Sequence, residues 1–117
     1  MKLNEYVKLT KNTLAKLDSV LMNNLHMLLG MSTEIGELQD IFKKHIAYGK
    51  EIDWINVKEE LGDIMYYVAS FCDINHLDLE KIIETNFKKL KSRYPDKFNE
   101  FRALNRDFQK ERKILKE

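Results

Sequence analysis

Punctuation is scarce in this chain: 117 residues contain one proline, Pro95, and four glycines. A turn-rich all-β domain needs more breaks than that, so the composition favours helices. Cys72 is the single cysteine, which excludes an intrachain disulfide. Its place on an apolar stripe makes it a buried thiol rather than a nucleophile. No apolar run approaches the ~20 residues that cross a bilayer, and Met1 to Glu5 lack the apolar core of a secretory signal. A cytoplasmic protein without a membrane partner is expected. Disorder is also excluded, because 44% of residues are hydrophobic and 33% charged, enough for one modest core. That core implies a single domain over residues 1–117.

A net charge of +1 hides an asymmetry: residues 1–80 carry 8 Lys/Arg against 13 Asp/Glu, and residues 81–117 carry 12 against 6. The bland consequence is mutual attraction between parts of the assembly. The sharper one is an acidic cation-binding part and a basic phosphate-binding part.

Apolar periodicity predicts a first helix over residues 3–17. A long second helix runs from Val20 to about Tyr48, with Asp18 or Ser19 as cap, a stripe of Leu21, Leu25, Leu28, Met31, Ile35, Leu38, Phe42 and Ile46, and Gly49 as its stop. Asp53 caps a third helix lined by Val57, Leu61, Ile64, Met65, Val68 and Cys72, and Asp78 starts a fourth that ends before Pro95. A C-terminal helix is expected over about residues 99–114, its apolar side covered by another part of the assembly.

Within this frame one pattern occurs twice, Glu34-Ile35-Gly36-Glu37-Leu38 and Glu60-Leu61-Gly62-Asp63-Ile64. Each copy sets two carboxylates one helical turn apart on one face. At ~100° per residue both pairs flank their stripe by the same ~80° and ~140°, a position for a half-buried site rather than a solvated face. Carboxylates gathered there repel one another unless a hard cation neutralises them, and an oxygen-only set suits Mg²⁺, or Mn²⁺, better than zinc or copper. The two mid-helix glycines, each costing about 1 kcal/mol relative to alanine, suggest close helix approach at Gly36 and Gly62. Asp73 and His76 share a ligand-like spacing only once, at a helix end.

On the fourth helix Asn86, Lys89 and Arg93 share a face, followed by Tyr94-Pro95. An amide, an ammonium and a guanidinium supply donors for phosphate or sugar oxygens. Lys43 and Lys44 either reach phosphates or complement the dipole of the second helix. Trp54, Tyr66, Tyr67 and Tyr94 are aromatic candidates for stacking on a base, Tyr67 lying one turn beyond Asp63; packing is the competing role for each. His26 and His45 read as packing or capping residues.

Glu34xxGlu37 followed by Glu60xxAsp63 in Glu-Leu-Gly-Asp, then Asn86, Lys89 and Arg93-Tyr94-Pro95, resembles the MazG-like all-α nucleoside triphosphate pyrophosphohydrolases. The match runs from about His26 to Phe98. The resemblance implies an all-α, four-helix bundle-like domain with an additional C-terminal helix, assembled as a homodimer or homotetramer. It implies Mg²⁺-dependent hydrolysis of NTPs or dNTPs to the monophosphate and pyrophosphate, for house-cleaning or nucleotide-pool control. Carried over by position, Glu34, Glu37, Glu60 and Asp63 are metal ligands and the catalytic acids, Lys89 and Arg93 grip the triphosphate, and Asn86 contacts sugar or phosphate. The competing expectation is a non-enzymatic helical module whose basic final third binds nucleic acid or a protein. Alternation of basic with acidic residues there, and the lack of a groove-reading motif, make nucleic acid the weaker expectation.

Overall fold

The computed structural model describes residues 1–117 and is all-α. Helix α1 is Leu3–Leu9, followed by a 3₁₀ turn at Thr10–Asn12; α2 is Val20–Tyr48, α3 Trp54–Ile74, α4 Leu79–Arg93, α5 Glu100–Leu104 and α6 Phe108–Leu115. The three long helices start where their caps stand in the sequence. Ser19 Oγ accepts from Met22 N–H, Asp53 from Ile55 and Asn56 N–H, and Asp78 from Lys81 N–H. Each cap satisfies donors that the first turn leaves orphaned. Gly49, at φ 66°, closes α2.

Two expected helices are shorter than their apolar spacing suggests. Hydroxyls of Thr10 and Thr13 donate to the carbonyls of Val7 and Thr10, at 2.7 and 3.0 Å, drawing the backbone into a tight turn that ends α1 early. The expected C-terminal helix is split, because Asn105 Nδ2 donates to Phe101 O while Asp107 caps a fresh start at Lys110 N–H. Asn and Asp offer the backbone alternatives to helix, and here two fall within three residues.

The chain divides into two compact units, Met1–Leu77 and Asp78–Glu117. In the first, α2 and α3 run antiparallel, as their contacts show. Phe42 meets Trp54, Gly30 meets Tyr67, and near the far end Asn24 and Asn75 exchange amide hydrogen bonds of 3.1 and 2.7 Å. Helix α1 and its turn pack on α3, burying Val7 and Thr10, with Thr13 Oγ1 2.7 Å from Tyr66 Oη. Met27, Val57, Ala69 and Cys72 complete the core of this unit.

The seam of α2 lies beside the expected stripe rather than on it. Met27 is buried and Gly30, Glu34 and Ile41 are half-buried, whereas Leu21, Leu28, Ile35 and Ile46 are 75%, 47%, 44% and 82% exposed. The apolar arc of α2 is wider than one neighbour can cover. Its second edge stays open.

In the second unit α4 packs against α6, and Leu79 and Thr85 of α4 and Glu111 of α6 are buried. Phe98, Phe101, Leu104 and Phe108 remain 65–77% exposed.

Candidate metal and phosphate site

The antiparallel pairing of α2 and α3 brings Glu34, Glu37 and Glu60 together, one carboxylate oxygen from each lying within 4.8 Å of the others. Antiparallel packing reverses the order of the repeat, so Glu37 and Glu60, the last acid of one copy and the first of the other, meet across the seam. Glu60 is 6% exposed, Glu34 is half-buried and Glu37 is open to solvent.

Only four buried side-chain polar atoms in the chain lack a hydrogen-bond partner, and two of them are Glu34 Oε2 and Glu60 Oε2. Hydrogen bonding to Glu34, then burial, then Glu37, push the Glu60 pKa up from 4.5 to about 7. A buried acid beside two others retains a proton because charge has no counterpart there. Orphaned oxygens, an all-carboxylate donor set and half-burial together fit a hard divalent cation such as Mg²⁺ or Mn²⁺.

Asp63 stands apart from this trio. It is half-buried one turn further along α3, and its charge contributes, after burial, to raising the pKa values of both Tyr6 and Tyr67. Tyr66 is one of the stacking candidates the sequence offers, whereas Tyr6 is not; packing of α1 on α3 is what brings Tyr6 here.

The glycines exchange roles. A Cβ at Gly36 or Gly62 would meet nothing within 4 Å, so the expected close approach is absent at both. Gly30 makes it instead, for a Cβ there would overlap the Tyr67 ring. Tyr67 is thereby seated in the seam one turn from both Glu34 and Asp63.

Beside the carboxylates opens a cavity of 560 Å³, lined by Glu37, Asp40 and Lys44 of α2, Lys50 of the following turn, and Asn56 and Glu60 of α3, among others. Asp40 holds Lys44 at 2.8 Å and Lys43 at 3.2 Å. Trp54 does not line this cavity; it is 60% exposed and stands edge-on to Phe42. Asp73 and His76 form no cluster, His76 being the exposed positive-φ residue in the turn after α3.

In the second unit Asn86 is exposed and Lys89 half-buried on α4. Arg93 is already engaged: its Nε donates to Glu111 Oε1 at 2.7 Å, and Arg106 Nη2 donates to Glu111 Oε2 at 2.7 Å. Arg93 and then Arg106 push the Glu111 pKa down to about 2. The expected phosphate grip of Arg93 is thus matched by an ion pair within its own unit. No spacing in the sequence announced it, because the partners lie 18 residues apart.

The profile of the MazG nucleotide pyrophosphohydrolase domain matches residues 22–98. The chain belongs to that family. The matched span holds α2 from Met22 onward, α3 and α4, and with them Glu34, Glu37, Glu60 and Asp63. No curated protein and no solved structure matches the chain. No helix is long and apolar enough to cross a membrane.

Proposed function

We propose that this protein hydrolyses nucleoside or deoxynucleoside triphosphates to the monophosphate and pyrophosphate with Mg²⁺, or Mn²⁺, as cofactor, in the cytoplasm. The observation that carries this reading is the trio Glu34, Glu37 and Glu60, with two buried, unpartnered oxygens beside a cavity large enough for a nucleotide.

Glu34, Glu37 and Glu60 hold the cation, and Asp63 is the fourth acid of the set. The bound cation lowers the pKa of water and neutralises charge on the phosphates. Glu37, exposed and lining the cavity, accepts the proton of the attacking water. The water oxygen bonds to a phosphorus flanking the α–β bridge, the bridging P–O bond breaks, and its electron pair leaves with one product. Tyr67, seated on Gly30, borders the nucleoside side. Asn86 and Lys89 are assigned sugar or phosphate contacts on the family resemblance alone.

Assembly as a homodimer or homotetramer is part of this reading, supported by the uncovered apolar edge of α2 and by Ile82, Ile83 and Phe87, which are 43–64% exposed on α4. The competing nucleic-acid module is less well supported. Lys81 and Lys88 pair with Glu84, and Arg93 and Arg106 with Glu111, so four of the twelve basic residues in the final third answer acids of the same segment.

Incubation with a panel of NTPs and dNTPs plus Mg²⁺ should release pyrophosphate, and Glu37→Gln or Asp63→Asn should abolish it. A panel silent at high protein concentration sinks the proposal; calorimetric Mg²⁺ binding without turnover would leave a cation-binding scaffold.

A further inference from the structure

The cavity beside the carboxylates is polarised along α2. Glu37 and Glu60 stand at one end, whereas Lys44 lies two turns further along, about 10 Å by helical rise. Lys44 and Lys50 are the only cationic side chains lining it. Three further acids line it: Asp53 caps Ile55 and Asn56 N–H, Asp40 pairs with Lys43 and Lys44, and Glu51 is exposed next to Lys50 in sequence. Lys50 forms no ion pair.

Lys50 is placed by a built turn rather than a loose loop. Gly49 adopts φ 66° and its N–H donates to His45 O at 3.0 Å, folding the chain back over the last turn of α2. Lys50 N–H donates to Lys44 O at 3.4 Å, and His45 Nδ1–H donates to Lys50 O at 2.8 Å. Clamped on both its N–H and its C=O, this backbone sets the second ammonium at the mouth that Lys44 lines. In the opposite direction along the seam stand Gly30 and Tyr67, with Tyr66 and Thr13 beyond, an aromatic and hydroxyl surface without a lysine or arginine among these residues.

We propose that the substrate lies along the seam with its polyphosphate end on Lys44 and Lys50, which hold the departing pyrophosphate, and its nucleoside toward Tyr67. This rests on the pyrophosphohydrolase reading. Two ammonium groups at that end offset the charge the leaving group gains as the bridge breaks. They have no comparable business with a monophosphate.

Product inhibition separates the two ends. Lys50→Ala and Lys44→Ala should each raise the pyrophosphate inhibition constant about tenfold and raise KM, while inhibition by the nucleoside monophosphate stays within about twofold. Lys50→Arg should restore most of the loss, and Gly49→Ala, strained at its positive φ, should reproduce part of it. Unchanged pyrophosphate inhibition in both alanine variants, or weakened monophosphate inhibition instead, overturns the orientation. Should the wild-type protein hydrolyse no triphosphate, the pyrophosphohydrolase reading fails separately. Calorimetric titration of Mg²⁺-pyrophosphate then decides the lysine grip: binding that Lys50→Ala weakens tenfold supports it, and no binding, or equal binding, overturns it.

Discussion

Glu60 and Glu111 are buried to the same degree, 6% and 4% exposed, yet they answer burial in opposite ways. Glu60 faces Glu34 and Glu37 and holds its proton up to about pH 7. Glu111 faces Arg93 and Arg106 and keeps its charge down to about pH 2. Burial alone sets neither behaviour; the partners do. An acid clamped by two guanidiniums is complete within the chain and serves packing. An acid packed against acids is incomplete until a cation arrives from outside, which is why the first unit, and not the second, carries the candidate centre.

The largest test of that contrast is Glu60→Gln. It should lower pyrophosphate release by at least about a hundredfold and abolish Mg²⁺ binding in calorimetry, with no loss of thermal midpoint in metal-free protein, since the substitution relieves acid–acid repulsion. Glu111→Leu should do the reverse, leaving Mg²⁺ binding intact and lowering the thermal midpoint by roughly 5 °C. A Glu111 variant that lost Mg²⁺ binding would break the contrast.

Substituting Gly30 probes what seats Tyr67 beside the trio. Overpacking against the ring costs about 1–3 kcal/mol, offset by about 1 kcal/mol of helix propensity, so Gly30→Ala should destabilise by about 1 kcal/mol in urea titration. Gly62→Ala, with open space for its Cβ, should instead stabilise by up to about 1 kcal/mol. A loss there would mean that a second chain packs on that face.

The pH dependence of metal-free stability should carry both glutamates on opposite flanks. The native pKa of Glu60, about 7, lies above its ordinary 4.5, so its contribution is complete below about pH 4.5 and lost as pH rises through about 7. Glu111, at about 2, lies below 4.5, so its contribution is complete above pH 4.5 and lost as pH falls through about 2. Thermal midpoints across pH should show Glu60→Gln flattening the neutral flank and Glu111→Gln the acid one.

Much of the site was legible in the chain, and its limits are instructive. The acid repeat and the caps Ser19, Asp53 and Asp78 could be read because helical periodicity and capping are local, decided within a turn by the residues themselves. Three of the four expected acids meet as the repeat suggested. Asp63 and Arg93 show where legibility ends, since the first stands near Tyr6, which α1 delivers, and the second is paired across 18 residues.

The sequence by itself determined that the chain is helical, where its long helices begin, which residue types could bind a cation, and the family. Only the tertiary structure decided that α2 and α3 run antiparallel, that Glu37 meets Glu60, that Gly30 rather than Gly36 or Gly62 lies at a close approach, and that Lys50 folds back to join Lys44. The reason is physical. Helix periodicity and caps are settled by neighbours a few residues apart, whereas the rotation of one helix on another depends on how whole surfaces pack. A rotation by one residue is enough to move an acid from the flank of a stripe into the seam.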